Sequence, residues 1–219
     1  MNNLAANFDR IYINGEWGRK QCSGPGSWHA PLVDAYVDTT VNFLRSVGLR
    51  GQCHAIDLGC GDFNIGSKLA CACKSIHGID ISKEIVKYCK RKFSTERISF
   101  SCNDARTYNF EESDVIFIRQ VFQHLSNQDI QLVLDNIAQR TNYLMLTEHI
   151  PAGNFTANAD IQSGTPHTRL RVGSGVDIMK PPFSHQLEYL QGTLSYFAFG
   201  GDIRTTIYRT HRAMAKDKN

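Results

Sequence analysis

The chain has 219 residues, of which 42% are hydrophobic, and a formal net charge of +3. This length is enough for one domain that buries about 70% of the surface its unfolded chain exposes, so the core requires neither metal nor disulfide support. The ordinary apolar content excludes collagen-like, coiled-coil and disordered classes. No apolar run approaches the roughly 18 residues of a membrane span. The near-neutral charge is not typical of a nucleic-acid-binding protein.

The N-terminal residues and the cysteines indicate the compartment. The chain does not begin with a basic segment followed by an apolar one, so we expect no secretory signal. Seven cysteines, an odd number, favour a reducing environment over a disulfide framework. Cys71 and Cys73 form the pattern Cys-x-Cys, but a thiolate zinc site needs about four ligands, so we predict no metal. We predict a cytoplasmic monomer or homodimer without a membrane or nucleic-acid partner.

Elements follow one another regularly through the middle of the chain. Residues 1–30 mix aromatic, glycine and polar residues and predict a partly helical arm, and apolar residues at helical spacing predict a helix over 31–47. Strands are then expected over 53–58, 75–80, 97–102, 114–118 and 143–147, with helices over 66–70, 82–92 and 127–139 between them. Residues 151–185 show no sustained period. Two β-rich runs, 194–199 and 203–209, follow, with a tight turn at Gly200-Gly201-Asp202.

This alternation predicts an α/β fold. Short apolar strands separated by helices are typical of a parallel sheet with helices on both faces. We therefore expect a Rossmann-like, doubly wound sheet of seven strands, in which the last two form a terminal antiparallel hairpin. We predict a single domain over 1–219, with an N-terminal arm or lid at 1–30 and an insertion at 151–185.

The strongest motif lies at the end of the first strand, where the sequence reads Ala-Ile-Asp-Leu-Gly-Cys-Gly-Asp over residues 55–62. Ligands of open α/β sheets bind beyond the carboxyl ends of the strands, and glycines in the turn allow a close approach to the backbone. A dinucleotide fingerprint would require a third glycine where Asn64 stands. Asp57 would repel a pyrophosphate, but it would suit a cationic ligand.

The pattern Asp-x-Gly-x-Gly after an apolar strand resembles the first motif of class I S-adenosylmethionine-dependent methyltransferases. The resemblance extends over about residues 53–149 by motif and to about 210 by topology. It implies that S-adenosylmethionine is the cofactor and that its methionine part is held by Asp57, Gly59, Cys60 and Gly61. It also implies that Asp80, which ends the second strand, accepts hydrogen bonds from the ribose hydroxyls, since a carboxylate offers two equivalent acceptors. Ile81 would then pack against the adenine.

The resemblance assigns further residues to the ends of later strands. Asp104, beside Ala105, matches the acidic residue that accepts from the adenine amino group, and Arg119 follows the fourth strand on the cofactor side. His124 occupies the segment beside the transferred methyl group, so we expect it to act as a general base. Trp17 matches an aromatic residue of the arm that covers the cofactor. The chain departs from the family pattern at Phe63, where a third glycine is often found, and in the bulk and charge of Arg119.

The acceptor is expected to be small. The insertion contains Arg169, Arg171 and Lys180 with His167 and His185, which together would favour an anionic acceptor because arginine binds carboxylate and phosphate groups bidentately. His149, which ends the fifth strand, is expected to bind the substrate and is the second candidate for the base. We therefore expect methyl transfer to an O or N atom of a small polar or anionic molecule.

Several alternatives stay open at this point. The chain could methylate a protein side chain, or bind the cofactor as a partner or regulator without turnover. Asp57 and Asp80 could each cap the helix that follows, and His124 could be structural. The insertion could be a solvated loop, and Trp17 a plain packing residue.

Overall fold

The computed structural model describes residues 3–183 and 187–216. Residues 1–2 of the predicted arm and 184–185 of the predicted insertion therefore lie outside the described residues. The helices are α1 (Leu4–Asn14), α2 (Ala30–Ser46), α3 (Asn64–Leu69), α4 (Lys83–Phe93), α5 (Asn127–Ile137) and α6 (His211–Lys216). The strands are β1 (His54–Leu58), β2 (Ser75–Asp80), β3 (Ile98–Cys102), β4 (Ser113–Arg119), β5 (Thr141–Ile150), β6 (Glu188–Ala198) and β7 (Gly201–Arg209).

The strands form a seven-stranded sheet in the order β3-β2-β1-β4-β5-β7-β6. β1, β2 and β3 are parallel, whereas β7 runs antiparallel to both β5 and β6. The prediction of an α/β fold with a mainly parallel sheet and a terminal antiparallel hairpin is confirmed. None of the helices within the described residues is long and apolar enough to cross a membrane.

The backbone divides into two compact units. The first unit comprises Met1–Ala105 and Ser113–Val115, and the second comprises Arg106–Glu112 and Ile116–Asn219. The prediction of a single domain stays a prediction.

Local sequence explains the elements of the first unit. α2 begins with Pro31 in its first turn, where the missing N–H is not needed, and the chain leaves it through Gly48 at φ 73°. Ser82 caps α4, because its Oγ accepts from the N–H of Ile85 at 3.3 Å. The buried face of α4 consists of Ile85, Val86 and Cys89.

The second unit differs from the sequence prediction in three details. The turn of the hairpin consists of Phe199 and Gly200, at φ 53° and 84°, because Ala198 pairs with Gly201. Two consecutive residues with positive φ are typical of a two-residue hairpin turn. The predicted turn at Gly200-Gly201-Asp202 was therefore displaced by one residue. β6 begins at Glu188, six residues before the predicted strand, and α6 was not predicted.

Candidate functional site

The glycine turn after β1 is held against the end of β2. The N–H groups of Gly59 and Cys60 both donate to Ile79 O, at 2.7 and 3.1 Å. Gly59 and Gly61 have φ of 70° and 52°, a conformation that glycine adopts without strain. Phe63 also has a positive φ, 58°, and its buried ring packs edge-on against Phe100 with ring centroids 4.7 Å apart. The glycine turn is thus held by the end of β2 and by the packing of Phe63 against Phe100 of β3.

Gly66 brings the backbone of α3 against Asp57. A Cβ at Gly66 would lie 2.5 Å from Asp57 Oδ2 and would overlap the ring of Phe63. Only a residue without a side chain fits this approach. Phe63 is the N-cap residue of α3 and makes no side-chain capping bond. This close approach could have been predicted from the sequence, because Gly66 is the next glycine after Gly61.

Asp80 is buried at the end of β2, with both carboxylate oxygens engaged by the backbone. Its Oδ2 accepts from Gly61 N at 3.0 Å, and its Oδ1 accepts from Ser82 N at 2.9 Å. Burial raises the pKa of Asp80 to about 6, although the backbone donors oppose this shift. A carboxylate has about four acceptor positions, which is more than these backbone donors occupy.

The third predicted acid follows β3. Asn103 N donates to Asp80 O at 3.0 Å, which ties the chain after β3 to the end of β2. Asp104 and Ala105 come next and are half-buried, as is Ile81 after β2. The first unit therefore places Asp57, Asp80 and Asp104 at or just beyond the carboxyl ends of three adjacent parallel strands.

The arm lies over this edge of the first unit. Trp17 is half-buried and meets the ring of Tyr12 edge-on at 5.2 Å. Tyr12 is buried, and a Cβ built on Gly61 would lie 3.1 Å from the Tyr12 hydroxyl. Burial, followed by the nearby Asp80 carboxylate, raises the pKa of Tyr12. Trp17 was predicted from the sequence, whereas Tyr12 was not, because its only signal is its place on the apolar face of α1.

Two carboxylates fasten the arm. Asp62 Oδ2 accepts from Ser23 N at 3.0 Å and from Trp28 Nε1 at 2.7 Å. Asp9 Oδ1 accepts from the Ser82 hydroxyl at 2.6 Å and from Glu84 N at 3.2 Å, at the start of α4. Neither acid was predicted, because tertiary packing alone brings them to their partners.

His124 lies buried in the second unit. Its Nδ1 is 3.1 Å from Thr165 O and 3.2 Å from His167 O, and since carbonyls only accept, this nitrogen carries the proton. Its Nε2 then accepts from the Gln123 side-chain amide at 3.1 Å. Burial lowers the pKa of His124 to about 4. The arrangement favours a neutral imidazole that holds the insertion in place, and the role as a base stays a prediction.

Glu148 and His149 lie next to each other in β5 with different environments. The oxygens of Glu148 accept from the N–H groups of Phe122 and Gln123 at 3.0 and 2.8 Å, and burial raises its pKa to about 8. His149 Nε2 is 3.0 Å from Ala198 O, which makes this nitrogen a donor, and burial lowers the pKa of the ring. This contact joins His149 to the hairpin. Glu148 was missed by the sequence analysis.

The predicted arginines occupy different environments. Arg169 is fully buried, and its guanidinium donates to Ala159 O and to Leu125 O, which links the insertion to the segment after β4. Arg171 is exposed. Arg119 is half-buried in the second unit, with Nη1 3.0 Å from Gln120 Oε1. The contacts of Arg169 favour a structural role, and the ligand-binding roles of all three stay predictions.

The second unit contains a half-open cavity of about 640 Å³. It is lined by β5, β6, β7 and the insertion, including Glu148, Phe155 and Arg204. None of the predicted acceptor residues belongs to this lining. Among the described residues, no group of three or more His, Cys, Asp or Glu side chains is placed to hold a metal ion.

Comparisons with known proteins agree with this geometry. Residues 55–142 match the sequence model of a methyltransferase domain family. The crystal structure of the N-methyltransferase NodS from Bradyrhizobium japonicum WM9 in complex with S-adenosyl-l-homocysteine is 17% identical, with a TM-score of 0.67 over 93% of this chain and 100% of that chain. Magnesium protoporphyrin IX methyltransferase (ChlM) from Synechocystis PCC 6803, with bound SAM, is 15% identical, with a TM-score of 0.62 over 96% and 98%. None of the curated protein sequences compared with the chain matches it.

Proposed function

We propose that this chain, which is a class I S-adenosylmethionine-dependent methyltransferase, transfers the methyl group to an oxygen or nitrogen atom of a small polar or anionic molecule. Its sulfonium cofactor supplies the methyl group, and the protein binds and orients the two reactants.

The geometry of the Asp80 carboxyl group is the main observation that supports the cofactor site. Its two oxygens are fixed by Gly61 N and Ser82 N, and a carboxylate has about four acceptor positions, so Asp80 can also accept from a ribose. Asp80 would therefore hold the ribose, Asp57 with Gly59, Cys60 and Gly61 the methionine part, and Asp104 with Ala105 the adenine.

The arm would enclose this site. Tyr12 and Trp17 pack together beside the glycine turn, and Asp62 fastens the rest of the arm to that turn. A covering aromatic residue excludes water from a reacting sulfonium. Ile81 would contact the adenine from the side of β2.

A small acceptor is supported by two observations. The second unit contains a cavity of about 640 Å³, within the range of about 300 to 1,000 Å³ typical of small-molecule pockets. The name of ChlM, which is similar over nearly its whole length, specifies a small molecule, and that of NodS specifies methyl transfer to nitrogen. A protein substrate would instead require an open groove.

A transfer experiment tests this proposal. The purified protein is incubated with S-adenosylmethionine labelled in its methyl group and with a cell extract separated by size into metabolites and proteins. We expect label in the metabolite fraction with the wild-type chain and none with Asp80→Ala.

Two results would contradict the proposal. Label confined to the protein fraction would establish a protein side-chain methyltransferase. Tight binding of S-adenosylhomocysteine without label in either fraction would favour a regulator without turnover.

A further inference from the structure

The cavity of the second unit lies on one face of β5 and β7. Among the described residues, the connection between β5 and β6 contains only a short 3-10 helix, Arg169–Val172. Side chains of this connection, including Phe155, Val176 and Met179, form one wall, and alternate residues of β5 form another. The cavity is therefore a feature of the fold rather than a gap between two neighbouring side chains.

Most of the surface of the cavity is apolar. Leu146 and Ile150 contribute from β5, Leu194 from β6, and the ring of Tyr208 from β7. Tyr189 stands at the rim, 56% exposed, with its ring 6.4 Å from that of Tyr208. An apolar pocket bordered by aromatic rings suits a flat or elongated apolar body.

A row of polar side chains crosses the apolar lining. The register of the antiparallel strands places Glu148 opposite Arg204, and Arg204 opposite Ser195. All three residues line the cavity, as does Thr206. Cross-strand neighbours have Cβ atoms about 5 Å apart, so a ligand that reaches this row meets one charged group and two hydroxyl groups together.

The carboxyl groups of the lining are already engaged. Each oxygen of Glu148 accepts a backbone N–H, and burial raises its pKa to about 8, so the group is mainly uncharged at neutral pH. Asp177 forms an ion pair with Lys180 at 3.4 Å and accepts from Met179 N.

Arg204 differs from both carboxyl groups. Within the part of the chain that the structure describes, its guanidinium makes neither a hydrogen bond nor an ion pair. The cavity therefore presents an apolar interior and one positive charge that is available to a ligand.

We propose that this cavity, which the proposed function takes as support for a small acceptor and on which this inference therefore rests, binds an amphipathic organic anion. The apolar or aromatic body of the anion lies against β5 and β7, and its acid group is bound by Arg204. Arginine pairs with carboxylate, phosphate and sulfonate groups through parallel N–H donors, which gives direction as well as affinity. The hydroxyls of Ser195 and Thr206 complete the recognition of the acid group.

Two related dyes test the proposal without knowledge of the natural ligand. 8-Anilinonaphthalene-1-sulfonate carries an aromatic body and one anionic group, and N-phenyl-1-naphthylamine has the same rings without the sulfonate. Fluorescence titration of the wild-type chain at neutral pH is expected to show saturable binding of the anionic dye at one site. The neutral dye is expected to bind at the same site more weakly.

Three variants separate the cavity from other surfaces. Arg204→Gln is expected to lower the affinity for the anionic dye about tenfold or more, because a charge-assisted hydrogen bond is lost. Its affinity for the neutral dye is expected to stay within about twofold of the wild-type value. Thr206→Trp, which fills the cavity, is expected to lower the affinity for both dyes. Arg50→Gln, at an exposed arginine outside the lining, is expected to change the affinity for neither dye.

Other outcomes would overturn the proposal. Equal affinity of wild type and Arg204→Gln for the anionic dye would remove the role of the arginine. Loss of dye binding in Phe197→Ser, at a ring that is 66% exposed on the hairpin, would show that the dye binds the outer surface. Titration of each variant with S-adenosylhomocysteine confirms that the chain is folded, and it tests the cofactor site separately, so that the two proposals fail independently.

Discussion

The carboxyl group of Asp80 shows how one residue can have a structural and a functional role at once. Its oxygens order the glycine turn and the start of α4 through Gly61 N and Ser82 N. The sequence left open whether Asp80 caps the next helix or binds a ligand. The cap of α4 is Ser82, and Asp80 supports it from the preceding strand. These contacts fix the orientation of the carboxyl group before any ligand arrives, which lowers the entropic cost of binding.

The raised pKa of Asp80 predicts how cofactor affinity depends on pH. Above about pH 6 the ionised carboxylate accepts hydrogen bonds from two donors of a diol, and below this pH the proton occupies one acceptor position. We expect the affinity for S-adenosylhomocysteine to fall as the pH decreases from 7.5 to 5. Isothermal titration calorimetry across this range measures the effect.

Asp80→Asn is the matched variant for this measurement. It has no proton to lose, so its weaker affinity should remain constant over the same pH range. A wild-type affinity that does not change between pH 7.5 and 5 would contradict a role for the ionised carboxylate.

The elements that were predicted well are those that can be recognised from the pattern of neighbouring residues. β1, β2, β3 and β4 are short strands, and their bounds differ from the predicted ones by no more than one residue. The acids of the candidate site were identified because they follow such strands directly. Tyr12 and Asp9 were missed because their partners lie far away in the sequence, around Gly61 and at the start of α4. The insertion has no period, so neither the cavity nor the burial of Arg169 could be deduced from it.

Because Asp62 attaches the arm to the glycine turn, we expect its removal to open the arm locally. Asp62→Ala removes the acceptor of Ser23 N and Trp28 Nε1 and leaves both donors without it. We expect the free energy of unfolding to fall by about 2 kcal/mol. Hydrogen exchange over residues 20–28 should become faster, as measured by mass spectrometry.

An exposed acid on α2 provides the control for this variant. Asp38→Ala should leave the exchange of residues 20–28 unchanged. Protection of this segment that survives Asp62→Ala would contradict the role of this carboxylate in fastening the arm.

For the whole molecule, buried acids link stability to pH. The pKa of Glu148 in the folded chain is raised to about 8 from an ordinary value of 4.5. A group of this kind contributes its full stability below the unfolded pKa, and the contribution is lost as the pH rises through the folded pKa. The pKa of Asp80 is raised in the same direction and contributes in the same sense up to about pH 6.

Urea unfolding of wild type and Glu148→Gln at pH 5, 6.5 and 8 tests this linkage. The amide cannot accept from both backbone N–H groups, which costs stability at every pH. The difference in free energy of unfolding between wild type and variant should shrink with rising pH, by up to about 1.4 kcal/mol per unit. A difference that stays constant would show that Glu148 is ionised throughout.

The central claim is that acids at the ends of three parallel strands hold S-adenosylmethionine, and Asp80→Ala tests it most directly. Calorimetric titration with S-adenosylhomocysteine at pH 7.5 is expected to show binding to the wild-type chain and about 100-fold weaker binding to the variant, because two hydrogen bonds to a carboxylate are lost. Asp38→Asn, at an exposed acid on α2, should bind as the wild type does. No binding by the folded wild-type chain, or undiminished binding by Asp80→Ala, would contradict the account.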